Sequence, residues 1–169
     1  MSGHELADIF ARLSDQDQED ALLRSLELLF ARSEWGVAEE FIKLVMSLPG
    51  HDNLRLNALA LGIRTALRLE KTEAAFERFE LLLAQAGQGG DLAAEAILQL
   101  AEALLPARAD KLVAIWDACA VMPMRKDARQ AWRKAGHLLA QACAGNRNEA
   151  EAARIRALLA ASHDRLKRA

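Results

Sequence analysis

One helical apolar spacing returns at intervals of 37 residues along this chain, and few architectures allow that. Ala38, Ile42, Val45 and Met46 are followed by Ala75, Phe79, Leu82 and Leu83, and then by Leu112, Trp116, Cys119 and Ala120. Offsets of four, seven and eight residues place each set on one stripe of a helix. Each stripe offers a small or apolar residue, then a bulky one, then a two-residue seat. A fourth set, Glu151, Ile155, Leu158 and Leu159, keeps the spacing with a charged first position and a shift of two residues. A single helix pair cannot cover such a face, whereas successive pairs stacked on one another can.

Composition points the same way. Alanine and leucine supply 64 of the 169 residues, and valine, isoleucine and threonine only 12, so intrinsic propensity favours helix and no sheet is expected. A chain of this size buries about two thirds of its unfolded surface and needs no disulfide staple. A short helix near residues 4–13 is expected first. Ser14 or Asp15 then opens a helix to about Ser33, and another runs from Trp35 to Pro49 and Gly50. Asp52 caps a helix to about Leu69, Thr72 opens one ending in the "GQGG" of 87–90, and Asp91 caps one halting at Pro106. Asp110 starts a helix that stops at "MPM", Asp127 lies near the start of the next, and "GNRN" at 145–148 precedes the last. The expected fold class is all-α. Antiparallel helix pairs stack right-handedly as a short α-solenoid of about eight or nine helices, in a single domain 1–169 with a hinge at 87–91.

The pattern resembles a degenerate tetratricopeptide-type helical repeat. An alanine, a large apolar residue four positions on and a terminating proline occur as Ala38, Ile42 and Pro49, and in part as Leu112, Trp116 and Pro123. The match lies in the second helix of each pair. For the first helix, "LGIRT" at 61–65 comes nearest to the leucine–glycine pair, with Thr65 where an aromatic would stand, and the period is longer than the family's roughly 34. In such arrays the first helices line the inner face. The resemblance thereby implies a common inner surface carrying Asn57, Arg64, Arg68, Gln99, Arg129 and Arg133, the alternative being internal pairing of these groups with Glu95 or Glu102.

Motifs for chemistry are scarce. His4, His51, His137 and His163 lack metal-spaced companions, and Cys119 and Cys143 sit among alanines and leucines as small buried hydrophobes do. "GQGGD" at 87–91 has neither the lysine and hydroxyl of a P-loop nor a preceding strand, so it reads as a connector. Asp15, Asp17, Glu19 and Asp20, like Glu39 and Glu40, lie near helix starts, where negative charge offsets the amide dipoles. No cofactor, metal or enzymatic activity is expected. The N-terminus has no leader pattern and no apolar run is long enough to span a bilayer, so a cytoplasmic setting is expected, without membrane.

Charge is unevenly spread. Residues 1–60 hold five basic and eleven acidic side chains, 61–107 four and seven, and 108–169 thirteen and six. Arg125, Arg129 and Arg133 stand four apart with Lys126 and Lys134 beside them, opposite an apolar face containing Trp132. Such a row is a solvated surface or meets a partner. Three partners compete: an acidic or amphipathic protein segment, the acidic half of a second copy in a homodimer, and nucleic-acid phosphates. Nucleic acid is the weakest, because the net charge is −2 and Trp132 lies on the core side. The favoured reading is a non-enzymatic adaptor or chaperone-like module that binds a protein segment in a helical groove through Asn57, Arg64, Arg68, Gln99, Arg125, Arg129 and Arg133. The alternative is a helical enzyme or small-molecule binder with a site gathered from separate helices.

Overall fold

The structure, a computed structural model, describes residues 2–47, 52–85 and 90–168. Among them it is all-α, with nine helices and no strand: α1 (Gly3–Ala11), α2 (Asp15–Ala31), α3 (Trp35–Ser47), α4 (Asp52–Arg68), α5 (Thr72–Ala84), α6 (Gly90–Leu104), α7 (Ala109–Ala120), α8 (Lys126–Gly145) and α9 (Glu149–Arg168). Pro49, Gly50, His51 and residues 87–89 of the expected hinge lie outside the described residues.

The 37-residue return is built into the helix boundaries. α3, α5 and α7 begin at Trp35, Thr72 and Ala109, one period apart each time. Their repeated stripe is the buried seam: Ala38, Ile42 and Val45, then Ala75, Phe79 and Leu82, then Leu112, Trp116 and Cys119 are all at most 2% exposed. The last residue of each seat, Met46, Leu83 or Ala120, sits at the half-buried rim. α9 departs from the pattern: Ala152, Ile155 and Leu159 are buried while Leu158 is exposed, so the seam has moved one residue along.

The turn that reverses the chain is repeated as well. Ser33, Glu70 and Arg147 hold φ of 56°, 57° and 60° just beyond α2, α4 and α8. In each turn the next amide donates back into the helix, Glu34 to Leu29 (2.9 Å), Lys71 to Ala66 (2.8 Å) and Asn148 to Cys143 (2.8 Å). This is the left-handed helix stop with its six-to-one bond, made here three times without glycine. It satisfies the orphan carbonyls and brings the following helix back antiparallel.

The helices gather into two compact units, Met1–Ala84 and Gln85–Ala169. In the first, α3 packs against α1, α2 and α4, and α4 against α5. Phe10, Leu22, Leu26, Phe41 and Ile42 form its centre, with the Phe10 and Phe41 rings edge-to-face at 5.7 Å. Gln18 donates to the carbonyls of Phe10 and Leu13 and so closes the open end of α1. In the second unit α8 is central, packed against α6, α7 and α9.

Two helical glycines mark where helices approach most closely. Gly62 on α4 and Gly136 on α8 are two periods of 37 apart. A Cβ on Gly62 would lie 3.1 Å from Ile42 and Arg78, and one on Gly136 would lie 2.6 Å from Trp116 and 2.9 Å from Leu159. Gly36 of α3 has nothing within 4 Å of that position. Opposite signs are therefore expected for the same substitution. Gly36→Ala gains up to about 1 kcal/mol of helix propensity, whereas Gly136→Ala loses about 1–2 kcal/mol after overpacking outweighs that gain. Urea midpoints of the two variants, moving in opposite directions from wild type, are the measurement.

Candidate functional site

The seven basic and polar residues singled out from the sequence fall into two sets, one in each unit. In the first unit, Asn57, Arg64 and Arg68 follow one another along α4. Asn57 donates to Glu19 on α2 at 2.9 Å and to the Asn53 carbonyl at 3.1 Å. Arg64 lies over the Phe30 ring, 4.9 Å from its centroid, and Arg68 over Trp35 at 5.4 Å. Phe30 and Trp35 are themselves stacked at 4.8 Å. The two arginines thus cap an aromatic pair at the α2–α3 turn, an arrangement that cation–π attraction stabilises by about 0.5–1 kcal/mol at an exposed site.

In the second unit the set divides further. Gln99 of α6 has a buried carbonyl oxygen with no donor among the described residues. Arg125 is the N-cap of α8 and stands outside the helical row. Its amide donates to Asp91 at 2.8 Å and its Nε to the same carboxylate at 2.6 Å. Asp91, expected to cap its own helix α6, instead holds the start of α8. Those bonds, the backbone one foremost, keep the Asp91 carboxyl below its usual range, and the pairing raises the Arg125 guanidinium. Asp91 is therefore the internal carboxylate that Arg125 meets. Gly90 allows this approach, because a Cβ there would collide with the Pro123 carbonyl.

Arg129 and Arg133 lean towards α9 and the α7–α8 link. Arg133 donates to the Leu159 carbonyl at 2.6 Å. Arg129 lies over the Trp132 ring at 5.4 Å and reaches the Met122 carbonyl at 3.5 Å. Beside it opens a groove of about 520 Å³ between the end of α7, the first turns of α8 and the face of α9. Met124, Leu158 and Ala161 give it an apolar lining, with the buried Trp132 behind Arg129, and Lys126 and Arg129 line it as well. Leu158 is 38% exposed and Val121, just beyond α7, is 88% exposed, so apolar surface is open to solvent here. A second hollow in this unit, about 610 Å³ between α6 and α8, is more open, and Glu102 is its only charged lining residue.

The strongest polar constellation was read differently from sequence. Glu39 stood as one of several acids near a helix start; in the structure it is 4% exposed and meets Arg78 of α5, itself 6% exposed. The guanidinium binds both carboxylate oxygens, at 2.8 and 2.6 Å, and also the Gly62 carbonyl of α4. Burial alone would raise the Glu39 carboxyl, but the Arg78 bonds and charge, with Lys43 and Lys71, bring it below its usual value. A fork-to-fork pair of this kind ties three helices of the first unit together. The legible signal was Arg78 lying between Phe76 and Phe79, a charge embedded in the buried seam.

Both cysteines are free and buried, and burial pushes the Cys119 thiol up to about 12. Among the described residues no three His, Cys, Asp or Glu side chains converge on a metal-sized site, and no helix is long and apolar enough to cross a membrane. Compared with family models, curated proteins and solved structures, the chain matches none significantly.

Proposed function

We propose that this protein is a non-enzymatic, tetratricopeptide-like interaction module, adaptor or chaperone in kind, whose α7–α9 groove holds an acidic amphipathic helix of a protein partner. The observation that carries the reading is the pairing of Lys126 and Arg129 with an apolar lining of Met124, Leu158 and Ala161 in one groove. Apolar anchors seated on Leu158 and Met124 would supply affinity, and carboxylates at helical spacing would meet the two cations and fix the register. Arg129 is held by Trp132 and Met122, so little of its rotamer freedom is lost on binding. The unit around the groove holds thirteen basic and nine acidic side chains, which favours encounter with an acidic segment. The repeat-like reading rests on the 37-residue period of the second helices, the recurring left-handed turn and the two glycines at close helix approaches.

The test is affinity capture with wild type, the charge reversal Lys126→Glu with Arg129→Glu, and Ala161→Trp, which fills the groove without changing its charge. Arg156→Glu, on α9 but outside the groove, is the control. Partners held by wild type and the control, and lost at least tenfold by both groove variants, are the expected result. Partners retained by both groove variants would remove the groove from the function.

A further inference from the structure

The structure supplies a candidate occupant for this groove. On α5 the side chains of Glu77, Glu80 and Leu81 are exposed together with Ala84, and Leu81 shows 49% of its surface. Positions 77, 80, 81 and 84 share one helical stripe, with Glu73 continuing it one turn earlier. The stripe contains no basic residue. An exposed leucine with glutamates one and four residues before it on the same helix is an acidic amphipathic face of the kind the groove between α7 and α9 is shaped and charged to take. The imbalance extends to the units that carry the two surfaces. Met1–Ala84 holds nine basic and fifteen acidic side chains, against thirteen and nine in Gln85–Ala169.

We infer that the α5 face of a second copy of this chain docks in the α7–α9 groove. Leu81 enters against Leu158 and Met124, while Glu77 and Glu80 meet Lys126 and Arg129. The contact rests on the groove being a binding site, as proposed above. It joins two different surfaces, so a copy that gives its α5 face still has its own groove to fill. Association then continues head to tail, as a chain or a closed ring, instead of stopping at a two-fold dimer. Because much of the attraction is between exposed charges, it weakens as salt screens them.

The experiment measures weight-average mass by analytical ultracentrifugation across concentration, at about 50 and about 500 mM salt. Wild type is expected to rise above the 18.5 kDa monomer with concentration and to fall back in high salt. Glu77→Lys with Glu80→Lys, and separately Lys126→Glu with Arg129→Glu, are each expected to weaken self-association at least tenfold. Mixing the two variants restores it, since each then offers the charge the other needs, a rescue that mere misfolding does not give. A wild type that is monomeric throughout, or self-association untouched by the α5 reversal, would overturn the inference. Loss of a captured foreign partner by the groove variant but not by the α5 variant, with wild type monomeric, would overturn the second copy as occupant and leave the groove as the binding site.

Discussion

Arg78→Met is expected to destabilise the first unit by about 3–5 kcal/mol, the usual cost of removing one partner from a buried ion pair. The cost comes from the group left behind. Glu39 is 4% exposed, and its two oxygens are held by the Arg78 fork at 2.8 and 2.6 Å. Lys43 approaches the same carboxylate only to 3.7 Å, from an exposed position, and cannot replace the two hydrogen bonds. Methionine restores much of the lost volume but donates nothing, so a charged carboxylate stays in the core. Replacing both residues, Glu39→Leu with Arg78→Met, removes the stranded charge and is expected to recover most of the loss. Urea unfolding followed by circular dichroism reads all three chains.

The pH dependence follows from the same pair. In wild type the Glu39 carboxyl is held below its ordinary value, so the pair contributes stability that is present above about pH 4.5 and is lost as pH falls through the lower, folded value. In Arg78→Met the sign reverses. Burial without the guanidinium raises the carboxyl above its unfolded value, so the penalty is full at neutral pH and is relieved as the group protonates. The stability gap between the two proteins should therefore narrow between pH 7 and pH 4. A gap that stayed constant would mean that the charge on Glu39 is not what Arg78 serves.

Much of the architecture could be read from residues because its signals are local. Ser14, Asp52, Thr72, Asp110 and Asp127 each stand within a residue or two of a helix start, and the 37-residue return of the stripe is a return of the helix boundaries themselves. Trp132 belonged to an apolar face by spacing alone, and it is 2% exposed. What spacing could not show is which element a side chain turns towards. Glu39 and Glu40 are neighbours in the first turns of α3, yet one is buried against Arg78 and the other is exposed. Arg125 fits the four-residue row of Arg129 and Arg133, but α8 begins one residue after it and Asp91 draws it aside. The groove was illegible for the same reason. Met124, Arg129 and Leu158 come from a link and two helices, and no short-range pattern joins them.

Trp116→Ala is expected to cost the second unit about 3–5 kcal/mol, as large-to-small changes at fully buried aromatics do. Trp116 has no exposed surface, and its ring lies against Trp132 with centroids 4.5 Å apart and planes 4° from parallel. Each indole also donates to the other residue's carbonyl, Trp116 to Trp132 at 2.9 Å and Trp132 to Trp116 at 3.1 Å. Buried indoles need such partners, and the reciprocal pair locks α7 to α8 in one register. Truncation removes one stacked ring and one of the two bonds, and leaves a cavity bounded by Gly136 and Leu159. That neighbourhood gives a sharper test than the loss alone. Gly136→Ala is unfavourable in wild type because its Cβ would meet the Trp116 ring at 2.6 Å. With the ring gone, the Leu159 side chain has room to shift and the methyl group keeps only its helix-propensity gain of about 0.5–1 kcal/mol. The same substitution is then stabilising in the Trp116→Ala background. A coupling of about 1–3 kcal/mol between the two sites, measured by a double-mutant cycle, would place the origin of the close approach in Trp116. Simple additivity would assign it to the helix backbones instead.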